Sequence, residues 1–334
     1  MMRINRKMLL KLANDAVEKN VESDRSIMAV YLQGSLLGNH PLIGNTADID
    51  LFFVHSDEDR TEREITRISD EIHLDISHHA HILYRQPREL RLHPWLGPAI
   101  YGCKIMYDPQ HFMDFVQASV RGQFNNTENV LHRVRKQSEH AREMWEAFYN
   151  TQCIPDPHDA ILYLRALEHA VNSVAGLRGE NLTERRFLQN LPRIAEAAGK
   201  PGLYPGFLGL LGATSVDVSS MRSWLDEWRE AYHATPIDVK PAHLHSHRFK
   251  YYERALLVLL ESESPHDALW PLWHTWTQLI SSLPANSVHR SAWQEAGEQL
   301  GLLGPAFEEK IVGLDAYLDL VEELLEDWAR AHGE

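Results

Sequence analysis

Apolar and polar positions change rhythm several times along this chain. From about residue 5 to 22, Met8, Leu9, Leu12, Ala16 and Val17 recur near helical spacing and predict an amphipathic helix. Ile27 then opens a continuous apolar run to Leu32, closed by Gly34, which predicts a buried strand running into a turn. Leu51 to Val54, within DIDLFFVH, is a second such run and predicts a strand covered on both faces. EIHLDISHHAHIL alternates instead, with Ile72, Leu74 and Ile76 on one face and His73, Asp75 and Ser77 on the other. Between these strands, Asp57 to Ser69 is polar with a weak helical pattern. A short helix is expected after Pro87, a strand in AIYGCKIMYD, and a further helix from Pro109.

After Thr127 the texture is helical throughout, over about 128–150, 157–177, 183–198, 216–233, 247–262, 265–283, 288–302 and 305–332. The last of these sets Phe307, Ile311, Leu314, Leu318, Val321, Leu325 and Trp328 on one stripe. Such a stripe serves as core or as an oligomer face, so a homodimer is an open expectation. The expected fold class is α+β. A mixed β-sheet with helices fills residues 1–122, and an all-α bundle fills 123–334, with the seam near 120–127.

Composition adds exclusions. The 334 residues allow two domains, and 44% hydrophobic with 24% charged residues is ordinary for a globular protein. A formal net charge of −14 argues against a broad surface for duplex nucleic acid, because phosphate contacts need Lys and Arg. Cys103 and Cys153 are the two cysteines, so neither a disulfide framework nor a CxxC metal site is expected. MMRINRKMLLKLANDAV lacks an apolar leader core, and the longest aliphatic run, Ala255 to Leu260, is too short to cross a bilayer. A soluble, cytoplasmic protein without membrane partners is the expectation.

One stretch resists a purely structural reading. GSLLGNHPLIGNTADIDLFFVH, from Gly34 to His55, puts Asp48 and Asp50 at the mouth of a strand built for burial. Residues two apart on a strand share a face, so the two carboxylates project together. Asp75 lies on another strand's polar face. Neighbouring strands would bring three carboxylates together, and a bound divalent cation would relieve their repulsion. Mg²⁺ suits oxygen ligands and keeps positions open for substrate phosphates. Gly34 and Ser35 end the preceding strand, where backbone amides and a hydroxyl can hold phosphate oxygens.

These features resemble the DNA polymerase β-like nucleotidyltransferase superfamily. The matching segments are VYLQGS (Val30 to Ser35), ADIDLFF (Ala47 to Phe53) and HLDIS (His73 to Ser77). The helical second half looks more like the bacterial aminoglycoside nucleotidyltransferase branch than like a polymerase. The motif-bearing likeness covers about residues 27–107. It implies a nucleotidyltransferase-type mixed sheet with helices on one side. It also implies transfer of a nucleoside monophosphate from an NTP, ATP being the first choice, to a hydroxyl of a small acceptor. Pyrophosphate leaves, and two Mg²⁺ ions assist. By this likeness Gly34 and Ser35 would hold the triphosphate, and Asp48 and Asp50 would ligate Mg²⁺. Asp75 would be the third ligand or the general base. Ala47 stands where many members carry Ser, with the Thr46 hydroxyl one position away.

Other residues invite plainer accounts. Asp48 and Asp50 could be a solvated loop end, and Asp75 an exposed edge-strand charge. His73 and Ser77 flank Asp75 and are candidates for the acceptor site. HHAHI (His78, His79, His81) and HLHSH (His243, His245, His247) are histidine runs. In an extended chain the second run would share a face and could hold zinc or nickel, though a surface run is the simpler reading. Arg248, Lys250 and Arg254 sit near a helix start, and Lys250 is the candidate phosphate contact there. Trp224 and Trp228 read as core. The net charge suits a cationic acceptor such as an aminoglycoside. The alternatives are transfer to a protein or a tRNA end, or a non-catalytic, antitoxin-like protein that keeps the fold.

Overall fold

The computed structural model describes residues 4–57, 59–149 and 155–334. The fold is α+β. The chain divides into two compact units, Met1–Asn126 with Ala242–Ala255, and Thr127–Pro241 with Leu256–Glu334.

The first unit begins with α1 (Arg6–Ser23), whose N-cap Asn5 accepts a hydrogen bond from the Met8 amide. Five strands follow: β1 (Ile27–Gln33), β2 (Ala47–His55), β3 (Thr61–Arg67), β4 (Ile72–Ala80) and β5 (Lys104–Tyr107). Their order across the sheet is β3-β4-β2-β1-β5. β2 and β4 run parallel, and every other pairing is antiparallel. Three helices, α2 (Pro87–Leu92), α3 (Leu96–Gly102) and α4 (Phe112–Arg121), complete the N-terminal segment.

Strand alternation divides the core. Val30, Leu32, Ile49, Leu51, Phe53, Leu74 and Ile76 meet Leu9, Ala13 and Val17 of α1. On the opposite face Ala29, Tyr31 and Val54 pack with Ile100, Met113, Val116 and Val120. Helices therefore cover parts of both faces, where the family likeness implied one. The cause is local: β1 and β2 are apolar at both odd and even positions.

Three further expectations need correction. Among the described residues of Asp57 to Ser69 there is no helix, and the centre of the stretch is β3. As an edge strand β3 buries only Ile65, so it carries no alternation to read. AIYGCKIMYD is part helix and part strand, since α3 runs to Gly102 and only Lys104–Tyr107 is extended. The helix expected from Pro109 starts at Phe112, where the Asp108 carboxylate accepts from the Phe112 and Asp114 amides.

The second unit contains α5 (Thr127–Tyr149), α6 (Pro157–Gly176), α7 (Phe187–Ala197), α8 (Leu203–Leu210) and α9 (Val218–Ala234). α10 (Phe249–Leu260) has its first turns in the first unit and its end in the second. α11 (Leu269–Ser281), α12 (His289–Leu300) and α13 (Phe307–Ala331) follow. α8 has no counterpart in the sequence reading, because LYPGFLGL is short and carries Pro and Gly. Trp228, Trp270, Trp273, Trp276 and Trp293 are fully buried here, and Trp224 is nearly so. The Trp228 and Trp293 indoles donate to the hydroxyls of Thr275 and Thr277 on α11. The α13 stripe is core too, with Phe307, Leu314, Leu318, Val321 and Leu325 buried within this single chain. Among the described residues no helix is long and apolar enough to cross a membrane. Cys103 is a buried free thiol, and Cys153 lies outside the described residues.

A histidine pair at the end of β2 predicts acid sensitivity. His55 is fully buried, with Nδ1 2.8 Å from Ser26 Oγ and Nε2 2.8 Å from His78 Nδ1. Burial first, then Arg60 and His78, push His55 down to about 4. The folded protein thus resists a proton that the unfolded chain takes up near pH 6.5. Unfolded chains bind more protons in this window, so stability rises with pH and is lost as pH falls from about 6.5 to about 4. Urea midpoints measured across that range should fall with acidification. A His55→Asn variant should flatten the slope by up to about one proton.

Candidate metal centre

The centre is built on β2, from a tight turn just before it. Gly44 and Asn45 both have positive φ, 58° and 57°, and Ile43 and Thr46 exchange both backbone hydrogen bonds around them. Thr46 is fully buried, and its hydroxyl lies 2.8 Å from the Ile43 carbonyl and 3.4 Å from that of Tyr251. Its hydroxyl is therefore part of the turn. A Cβ on Gly44 would come 2.4 Å from the Arg254 carbonyl oxygen, so only glycine lets the middle of α10 (Phe249–Leu260) lie this close.

β2 and β4 then align the acids. Asp50 and Asp75 are register partners across the parallel pair, as are Asp48 and His73. Partners share a face, so Asp48, Asp50 and Asp75 converge, with one oxygen from each within 4.8 Å of the others. Asp48 and Asp75 are buried, 6% and 5% exposed, while Asp50 is half-buried. The solvated-loop and edge-strand accounts of these residues do not describe such a cluster. Loss of hydration, then the charges of Asp48 and Asp75, push the Asp50 carboxyl well above the usual range.

Gly34 closes the cluster from β1. Its φ of 77° and ψ of −161° lie in a region that is essentially glycine's alone. A Cβ there would fall 1.7 Å from Asp50 Oδ2. The exposed Gly34 backbone thus lies directly against the Asp50 carboxylate. Ser35 opens a single 3₁₀ turn, Ser35–Leu37, and its hydroxyl donates to the Pro41 carbonyl at 3.3 Å.

Two arginines hold the acids. Arg63 on β3 forks onto Asp75, with Nε 2.8 Å from Oδ1 and Nη2 2.6 Å from Oδ2. Arg248 bridges two aspartates, with Nη1 2.7 Å from Asp75 Oδ2 and Nη2 2.9 Å from Asp48 Oδ2. The Tyr251 hydroxyl donates to the same Asp48 oxygen at 2.7 Å. Arg248 is buried, and its guanidinium lies 4.6 Å from the Tyr251 ring centre. His73 is fully buried, with its ring edge-on to that of Tyr251. Burial, then Arg248, push its imidazole down to about 4.

Lys250 is elsewhere: its ammonium pairs with Glu253 at 2.5 Å and is 42% exposed. No contact joins it to the aspartates. Ser77 is half-buried on the Asp75 face. The HLHSH run is not extended, because Ala242–Leu244 and Ser246–Arg248 are 3₁₀ turns. That removes the shared face on which a three-histidine site was drawn. Sequence reasoning missed Arg63, hidden in an edge strand, and Tyr251. Arg248 carried one usable signal, an arginine just ahead of the aromatic start of a helix.

The donor set suits a small divalent cation. Three carboxylates supply hard oxygen ligands from rigid strands, and half-buried Asp50 leaves a side open. Compared with known proteins, the chain matches no family model, and no curated protein matches it.

Proposed function

We propose that this protein is a divalent-metal-dependent nucleotidyltransferase. It would move a nucleoside monophosphate from an NTP, ATP being the first to test, to a hydroxyl of a small acceptor. The observation that carries this reading is the meeting of three carboxylates with the side-chain-free Gly34 turn in one place. Glycine at 34 lets the Asp50 carboxylate lie against the turn, and the exposed Gly34 backbone beside the acids, with the Ser35 hydroxyl released from Pro41, would meet a phosphate.

Asp48, Asp50 and Asp75 would hold the cation, Mg²⁺ by preference for all-oxygen ligands. When bound, the ion or ion pair would neutralise charge on the phosphates and on the attacking and leaving oxygens. β2 and β4 hold the carboxylates in register, so little reorganisation is needed. Arg63 fixes the orientation of Asp75 through its fork. The net charge of −14 favours a cationic acceptor, which long-range attraction would concentrate at the surface.

One observation favours a second reading, a non-catalytic protein that keeps the fold. Arg63 and Arg248 already pair with two of the three acids. One assay separates the two. The protein is incubated with Mg²⁺, an NTP panel and pooled hydroxylated acceptors, beside an Asp48→Asn/Asp50→Asn variant. Pyrophosphate release by the wild type alone supports the enzyme. No release, with no Mg²⁺-dependent NTP binding, supports the non-catalytic protein.

A further inference from the structure

We infer that Arg248 and a divalent cation compete for the same carboxylate oxygens, so that the segment Ala242–Ala255 is a latch that metal binding loosens. The inference rests on the metal reading of the aspartates and not on nucleotidyl transfer.

The guanidinium of Arg248 lies between Asp48 and Asp75, where an ion shared by those carboxylates would sit. Asp48 Oδ2 accepts from both Arg248 and Tyr251, and Asp75 Oδ2 from both Arg63 and Arg248. A cation ligated by these oxygens would face the positive guanidinium at contact distance. Like charges that close, away from water, repel strongly, so a bound cation and the guanidinium would each weaken the other's hold on these oxygens.

Three facts indicate that the latch can give way. Arg248 Nε is buried without a hydrogen bond. Each unpaired buried group costs free energy, so the arginine-filled arrangement is incompletely satisfied. The Asp50 carboxylate accepts no hydrogen bond from any described residue, so part of the ligand set is ready for an ion. Two guanidiniums face three carboxylates, so the third, Asp50, has no arginine bonded to it.

The latch is anchored elsewhere as well. Arg254 pairs with Glu71 at 3.0 Å, and His247 Nδ1 lies 3.3 Å from the Ile65 carbonyl oxygen. These contacts do not involve the aspartates. Arg248 can therefore swing while His247 and Arg254 stay, so opening would be concentrated around residues 248–251.

The test is Mn²⁺ titration of the full-length protein, followed by electron paramagnetic resonance, without nucleotide. Arg248→Ala should bind Mn²⁺ about tenfold or more tightly than the wild type, because charge-assisted competitors are gone. Tyr251→Phe should fall between them. In the wild type, saturating Mn²⁺ should speed amide hydrogen exchange in Ala242–Ala255, a readout that needs no variant. Equal affinity in wild type and Arg248→Ala, or unchanged exchange at saturation, overturns the latch and leaves the metal reading standing. Absence of Mn²⁺ binding in both folded proteins overturns the latch and the metal reading together.

Discussion

Asp50→Asn is expected to cut nucleotidyl transfer by about 10²–10³-fold while leaving the fold intact, if the proposed activity holds. The size is that of removing one preorganised charge-stabilising group from an active site. The selectivity follows from the hydrogen bonds. Asp48 and Asp75 carry the ion pairs to Arg248 and Arg63, whereas the Asp50 carboxylate accepts no hydrogen bond from any described residue. An isosteric amide at 50 therefore breaks no pair, and it removes a like charge from a cluster of three. The melting temperature should hold or rise slightly. Asp48→Asn should behave differently, because it weakens a buried pair and leaves Arg248 under-compensated. Breaking such a pair costs about 3–5 kcal/mol. Pyrophosphate release and thermal melts on both variants check this. Asp50→Asn with activity within a few-fold of wild type would sink the proposed role.

Gly34→Ala carries the second large effect. Alanine would take on a backbone conformation reserved for glycine, at a cost of about 1–3 kcal/mol. Its Cβ would also fall 1.7 Å from Asp50 Oδ2, so the carboxylate must leave its position. Activity and metal binding should drop together, beyond what the melting temperature explains. A double-mutant cycle with Asp50→Ala isolates the steric part, because shortening residue 50 removes the atom that is struck. The stability cost of Gly34→Ala should then shrink to the backbone strain alone. Full additivity would show that the carboxylate does not lie against the glycine in solution.

Much of the first unit was legible because its signals are local. The runs Ile27 to Leu32 and Leu51 to Val54 mark β1 and β2, and the alternation Ile72, Leu74, Ile76 marks β4. Strand periodicity alone puts Asp48 and Asp50 on one face. That Asp75 faces them was conditional on strand adjacency, which no local pattern encodes. Parallel pairing of β2 with β4 at the Asp50–Asp75 register supplies it. Arg63 was hidden because an edge strand with one buried side chain has no periodic signature. Arg248 and Lys250 stand two apart at the same helix start, and their roles cannot be ranked without knowing which way the 3₁₀ turn at Ser246–Arg248 aims each side chain.

The bond from Arg248 to Asp48 spans 200 residues of sequence. During synthesis the acids and the whole sheet emerge first, and the arginine follows only after Thr127–Pro241 has been made. At about 5–20 residues per second, that interval is on the order of ten seconds. Through it, among the described residues, Arg63 is the one arginine bonded to any of the three carboxylates. Closure of so long a loop is also entropically slow, which places this contact among the last to form. The centre is then finished by the ribosome's output order: sheet and Arg63 first, Arg248 late, with a window in which Asp48 lacks its guanidinium.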